Sequence, residues 1–77
     1  MIKENIGKRI QELRFNIGKM NQQEFSNRIG WDRSYLSKIE NGKQNITIEN
    51  IEKVCEVLGI SIYYFFNDKN LFDYMED

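Results

Sequence analysis

The sequence predicts an all-α protein built from five short helices. Proline is absent from the 77 residues, and no stretch alternates apolar and polar side chains as a half-buried strand would. Apolar residues instead recur at helical spacing, between residues that typically begin and end helices. With 40% hydrophobic and 30% charged residues the composition is globular, and the length fits a single domain covering residues 1–77.

The first helix is indicated by Ile6, Ile10, Leu13 and Ile17, whose spacing places them on one helical face. Gly18 follows this apolar stripe directly. Because glycine commonly occupies the left-handed position just past a helix, we expect the first helix to end there.

The second helix is predicted to begin at Asn21, because Glu24 three residues later completes a capping-box pattern. Phe25 and Ile29, four residues apart, supply its apolar face. Gly30 is expected to end it, so this helix is short.

The third helix is predicted to begin after Asp32, whose carboxylate can accept hydrogen bonds from the first turn. Leu36 and Ile39 supply the apolar pair. The sequence Asn41-Gly42 is a typical helix stop and opens a polar loop.

The fourth helix is expected to begin at Thr47 and to end at Gly59. Its predicted inward positions are Ile48, Ile51, Cys55 and Leu58. Ser61 is expected to begin a fifth, aromatic helix, and a last turn is expected around residues 71–74.

The composition excludes several kinds of site. One cysteine, Cys55, cannot form a disulfide within the chain, and without histidine a four-ligand zinc site is very unlikely. The absence of histidine also removes the commonest general base, so no enzyme, metal or cofactor is predicted. Cys55 is interpreted as a small buried hydrophobe. Glu49, Glu52 and Glu56 are interpreted as a solvated acidic face rather than a metal cluster.

No signal peptide and no apolar run of 18 residues is recognisable, so we expect a soluble, cytoplasmic protein without a membrane partner. The overall net charge is −1, but it is unevenly distributed. Residues 1–45 hold nine Lys/Arg and five Asp/Glu, a net charge of +4, whereas residues 46–77 carry a net charge of −5. This asymmetry suggests one face that binds a polyanion and another that is turned away from it.

The second and third helices together have the spacing of a helix-turn-helix. Small Ser26 would allow a close approach of the third helix, and Gly30 can adopt the positive φ that the turn needs. Four apolar residues would face one core: Phe25, Ile29, Leu36 and Ile39. Spacing alone leaves two interpretations open, a DNA-binding motif and an ordinary αα corner.

Residues 21–43 resemble the lambda-repressor-like (Cro-type, XRE) DNA-binding family. The sequence at 34–42 is especially similar to that family; it reads Ser-Tyr-Leu-Ser-Lys-Ile-Glu-Asn-Gly. The resemblance extends from about residue 8 to residue 66. The run Asp32-Arg33-Ser34-Tyr35 and the small size are most like the controller proteins of restriction–modification systems. Sporulation- and biofilm-type repressors share much of the same sequence motif.

The resemblance implies that the third helix lies in the major groove of double-stranded DNA. The residues expected to read bases are Arg33, Ser34, Tyr35, Ser37 and Lys38, and those expected to contact the DNA backbone are Gln22, Asn41, Lys43, Gln44 and Asn45. The forked donors of Arg33 match guanine O6 and N7. For Tyr35 two roles stay open, a contact with phosphate or a thymine methyl, and a ring resting on the second helix. The resemblance also implies a partly buried ion pair between Arg14 and Glu40.

The C-terminal segment, about residues 61–77, is expected to contribute to dimerisation. Six of the ten aromatic residues lie in the last 15 positions, more than so small a domain can bury on itself. The expected interface residues are Tyr63, Tyr64, Phe65, Phe66 and Phe72. The alternative is that the tail folds back over Phe15; both arrangements could hold together.

These observations predict a homodimeric, sequence-specific transcriptional regulator with a five-helix, lambda-repressor-like fold that binds a two-fold symmetric operator. No cofactor and no small-molecule effector is expected. The alternative function is a helical protein-interaction module of the antitoxin or anti-repressor type.

Overall fold

The computed structural model describes residues 2–69 and 71. Over these residues the chain forms five α-helices and no strand, as predicted. A five-residue π-helical segment, Arg14–Gly18, continues directly from the first helix. The helices are α1 (Ile2–Leu13), α2 (Gln22–Ile29), α3 (Arg33–Glu40), α4 (Ile48–Leu58) and α5 (Ile62–Phe66).

The predicted caps of α2 to α5 are confirmed. Asn21 accepts a hydrogen bond from the Glu24 backbone, and the Glu24 side chain accepts one from the Asn21 backbone, which makes a complete capping box. Asp32, Thr47 and Ser61 each accept a hydrogen bond from a backbone N–H in the first turn of the following helix.

The end of the first helix differs from the prediction. Lys19, not Gly18, adopts the left-handed conformation, with φ of 55°, and its N–H donates to the Arg14 carbonyl. Gly18 instead lies close to α4: a Cβ there would lie 2.8 Å from the end of the Leu58 side chain, which would have to shift. Because the π-helical turn is wider than an α-helical one, the side chains after Leu13 change direction, and Ile17 is exposed instead of inward-facing.

The core lies where the five helices meet. Its fully buried members include Ile10, Phe25, Leu36, Val54 and Phe65. On α4 the prediction was right for Ile51, Cys55 and Leu58 and wrong for Ile48, which is 63% exposed because it lies at the very start of the helix, away from the other elements.

The chain after α5 lies against α1. Leu71 is buried, and its carbonyl accepts a hydrogen bond from Asn5 at 3.1 Å. Leu71 N–H in turn donates to the Asp68 carbonyl. Residues 72–74 of the predicted last turn lie outside the described residues. The described part of the tail leaves Phe15 56% exposed, and the guanidinium of Arg14 lies over the Phe15 ring.

Arg9 joins α1 to the C-terminal end of α5. Its guanidinium donates to the backbone carbonyls of Tyr64 at 2.7 Å and Phe65 at 2.8 Å, and also to the Glu12 carboxylate. Asp68 lies 3.5 Å from the same group. Carbonyls at a helix C-terminus have no partner within the helix and carry partial negative charge. A cation placed there supplies hydrogen-bond donors and balances that charge.

Candidate nucleic-acid interface

The helix-turn-helix consists of α2, a three-residue turn at 30–32 and α3. Gly30 has a φ of 84°, which confirms the predicted positive value, and the N–H groups of Gly30 and Trp31 both donate to the Ser26 carbonyl. Ser26 is completely buried, as expected of a small residue that allows a close approach. The turn thereby ends α2 and begins α3 within three residues.

One face of α3 is left to the solvent. Leu36, Ile39 and Glu40 are buried against the rest of the protein. The opposite face carries Ser34, Lys38 and Asn41, which are exposed, and Ser37, which is half-buried. Arg33, the first residue of α3, is exposed at the start of the helix. The structure therefore brings four of the five predicted base-reading residues together on one outward surface, with donors from two cations and two hydroxyls.

The fifth predicted base-reading residue, Tyr35, is held more firmly. Its ring meets Trp31 edge-on, with centroids 5.0 Å apart and an interplanar angle of 87°. Its phenol oxygen accepts a hydrogen bond from the Asn50 side chain at 3.0 Å. The ring thus rests on the residue that follows Gly30 in the turn, while its oxygen lies beside the first turn of α4.

A buried ion pair holds α3 against α1 and α2. Arg14 donates to both carboxylate oxygens of Glu40, at 2.8 and 3.0 Å, and a third donor reaches the Met20 carbonyl. The side chains of Arg14 and Glu40 are 3% and 2% exposed, so the expected pair is present and more deeply buried than predicted. Gln22 donates to the same carboxylate at 2.9 Å. One N–H of the Gln22 amide is therefore used within the protein, although the residue was expected to bind the DNA backbone.

The loop after α3 presents polar side chains to the solvent. Asn41, Lys43, Gln44 and Asn45 are all exposed. The Lys43 backbone N–H donates to the Lys38 carbonyl at 2.9 Å, which fixes the start of the loop against the end of α3. Among the described residues, Lys43 forms no ion pair, so its ammonium group is available to an anion.

The predicted dimer residues separate into core and surface. Phe65 is completely buried within its own chain and cannot contact a partner, so the prediction for Phe65 was wrong. Its neighbours face outward: Ile62, Tyr63 and Tyr64 are 43%, 74% and 46% exposed. With half-buried Phe66 they form an apolar surface on α5, and Ile62, Tyr63 and Phe66 also line a shallow concavity. Phe72 lies outside the described residues.

Other chemistry is limited in this chain. Burial, with a smaller effect of the Glu52 carboxylate, raises the pKa of the Cys55 thiol, so at neutral pH it remains protonated. Over residues 2–69 and 71, no group of three or more acidic or cysteine side chains is placed to hold a metal ion. No helix in that part of the chain is long and apolar enough to cross a membrane.

Sequence reasoning missed three residues of the site. Asn50 and Trp31 fix the position of Tyr35, and Arg9 fixes the end of α5. Asn50 contacts a residue 15 positions away, and Arg9 contacts one 56 positions away. No local sequence pattern predicts contacts over these separations. The only available signal was that Trp31 is unusually large for the residue after a turn glycine.

Comparisons with known proteins agree with this geometry. Residues 16–65 match the profile of the helix-turn-helix family. The control protein C.MunI of a Mycoplasma species is 39% identical over 67 residues, covering 87% of this chain and 90% of the relative. The control protein C.BamHI of Bacillus amyloliquefaciens is 32% identical over 54 residues, covering 70% of this chain and 67% of the relative.

Solved structures show the same similarity. The restriction–modification controller protein C.AhdI of Aeromonas hydrophila superimposes with a TM-score of 0.74 at 32% identity, over 82% of this chain and 94% of its own. The controller protein C.Esp1396I, crystallised as a tetramer with its natural 35 base-pair operator, superimposes with a TM-score of 0.83 at 25% identity, over 95% and 97% of the two chains. The chain therefore belongs to the helix-turn-helix family of XRE-type DNA-binding proteins and is similar over most of its length to the control proteins of restriction–modification systems.

Proposed function

We propose that this protein is a sequence-specific transcriptional regulator of the restriction–modification controller type, which binds a two-fold symmetric operator as a homodimer. The observation that carries the proposal is the outward surface of α3, where no described element of the chain covers Arg33, Ser34, Ser37 and Lys38. A helix placed in the major groove reads base edges with side chains of this kind.

The contacts divide by chemistry into base-reading and phosphate-binding groups. Arg33 lies in the first turn of α3, where a reading helix meets the base edges, and its guanidinium is exposed. Lys43, Gln44 and Asn45 lie in the following loop, where donors meet the phosphate backbone. Charge supports this assignment, because residues 1–45 carry a net charge of +4 although the whole chain is acidic.

The proposed dimer surface is the exposed part of α5, formed by Ile62, Tyr63, Tyr64 and Phe66. Contiguous apolar surface on a small protein usually marks an interaction site. Two reading helices about 34 Å apart can enter successive major grooves, and the pair gains affinity that a single short helix lacks. The relative C.Esp1396I, which has the same fold, assembles on its operator as a tetramer.

The proposed activity is binding, not catalysis, and it is exerted in the cytoplasm, where the operator DNA lies. The competing hypothesis is a helical module that grips another protein, as in an antitoxin. Exposed cations on α3 favour DNA, because phosphate and guanine acceptors match their donors whereas a protein groove would need apolar anchors.

The test is selection of a duplex from a random-sequence library by the unmutated protein, followed by titration of the selected duplex and a scrambled one. We expect enrichment of a sequence with two-fold symmetry and binding that weakens as salt rises. Arg33→Ala should weaken binding to the selected duplex more than to the scrambled one, so that the preference between them narrows. Lys69→Ala, which removes one exposed positive charge beyond α5, is the matched control and should leave it intact. Absence of any enriched sequence would refute the proposal.

A further inference from the structure

The phenol of Tyr35 is fixed from two sides by residues of different elements. Trp31, in the turn before α3, meets the ring edge-on at 5.0 Å. Asn50, in the first turn of α4, donates its side-chain N–H to the phenol oxygen at 3.0 Å. Asn50 is itself anchored, because its backbone N–H donates to the Thr47 hydroxyl at 3.1 Å. The tyrosine is therefore held in one orientation before any ligand arrives.

The direction of the hydrogen bond determines what the phenol has left to offer. A phenol can both donate and accept, whereas an amide NH₂ can only donate. The bond from Asn50 therefore occupies a lone pair of the Tyr35 oxygen and leaves its proton pointing elsewhere. Within the part of the chain that the structure describes, no acceptor receives that proton. The Tyr35 ring is half-buried, and its phenol proton lies at the edge of the outward face of α3.

We propose that Asn50 is a positioning residue that fixes Tyr35 as a hydrogen-bond donor toward the operator. The acceptor would be a phosphate oxygen or an acceptor atom on a base edge, both of which DNA presents to a reading helix. This inference rests on the proposed function. It assigns a role to a residue on α4, outside the helix-turn-helix, and it makes the chemical direction of the Tyr35 contact specific.

Asn50→Asp is the sharpest perturbation, because it preserves size and reverses the hydrogen bond. A carboxylate can only accept, so it would take the phenol proton and turn the donor away from the DNA. Tyr35→Phe removes the donor and keeps the ring against Trp31. Asn50→Gln is the conservative variant, since it keeps an amide N–H that can donate to the phenol oxygen, on a side chain one methylene longer.

The experiment titrates these variants, and the double variant Tyr35→Phe with Asn50→Asp, against the duplex selected by the unmutated protein and a scrambled duplex. Fluorescence anisotropy gives the dissociation constants, and thermal melting checks that each variant is folded. Tyr35→Phe should weaken binding about ten-fold, the usual loss for one hydrogen bond. Asn50→Asp should cost about ten-fold more in the parent than in the Tyr35→Phe background, and Asn50→Gln should stay within about three-fold of the parent.

The outcomes separate the possible roles. An equal effect of Asn50→Asp in both backgrounds would overturn the inference, since the carboxylate would then act through its charge alone. Unchanged binding by Tyr35→Phe would overturn it as well. A loss on both duplexes supports a phosphate acceptor, and a loss on the selected duplex alone supports a base acceptor. If the unmutated protein prefers no duplex, the proposed function fails and this inference falls with it.

Discussion

Replacing Arg14 with methionine tests the buried ion pair that joins α1 to the reading helix. Arg14 and Glu40 are 3% and 2% exposed, so the substitution leaves a carboxylate in the interior without its cation. Breaking such a pair usually costs about 3–5 kcal/mol. Gln22 still donates to Glu40 at 2.9 Å, which places the expected loss near the lower end, about 3 kcal/mol.

A loss of this size is a large part of the stability of a small domain. Chains of this length are stable by about 4–12 kcal/mol, and each kcal/mol lowers the melting temperature by about 4–8 °C. We therefore expect Arg14→Met to melt about 12–24 °C below the parent. Calorimetry or circular dichroism at one fixed protein concentration measures this, since the stability of a dimer depends on concentration.

The matched control is the double variant Arg14→Met with Glu40→Leu. It removes both charges, and because an apolar replacement of a buried pair is often neutral, it should regain most of the lost stability. Sequence preference on the selected duplex should survive in any fraction that stays folded. A single variant that melts within about 3 °C of the parent would refute the reasoning, because the carboxylate would then be solvated rather than buried.

Four further predictions concern the DNA surface, the dimer surface and the core. Arg33→Ala should cost about 1–3 kcal/mol on the selected duplex and relax preference at one base pair per half-site, measured by titration of single-base variants; equal losses on every duplex would instead make Arg33 a phosphate contact. Lys43→Ala should weaken binding to all duplexes alike and lower the slope of log K against log salt by about 1 per subunit, whereas an unchanged slope would place its ammonium away from phosphate. Ile62→Ser with Tyr63→Ser should give a folded monomer by sedimentation, because both side chains are exposed on α5; an undiminished dimer would exclude this surface. Phe65→Leu, at a completely buried position, should lower the melting temperature at every concentration without changing the dimer dissociation constant.

Local chemistry explains why most of the fold was predictable. The caps at Asn21, Asp32, Thr47 and Ser61 each act within three residues of the chain, so sequence alone reveals them. The end of α1 was not predictable in the same way. A π-helical turn over Arg14–Gly18 changes the direction of Ile17 and extends the helical segment through Gly18, so the left-handed residue is Lys19.

The candidate site was predictable where exposure follows from helical phase. Leu36 and Ile39 face inward, so Ser34 and Lys38 must face outward. Arg33 lies only three residues before Leu36, and its exposure follows instead from its position at the start of α3. The run of four aromatics on α5 offered no such contrast, and only packing against the rest of the core decides that Phe65 is buried while Tyr63 is exposed. The Asn50–Tyr35 hydrogen bond depends on the placement of α4 against α3, which no local pattern encodes.

The Arg9 contacts with α5 also bear on the order in which the helices fold and the subunits associate. A helix of five residues does not persist alone in water, because nucleating a helix costs more than one turn returns. The Arg9 guanidinium reaches the carbonyls of Tyr64 and Phe65 only when α1 is already formed, so we expect the apolar surface of α5 to acquire its shape late in folding. Refolding should therefore show a unimolecular step whose rate is independent of concentration, followed by a bimolecular step in which two completed subunits associate.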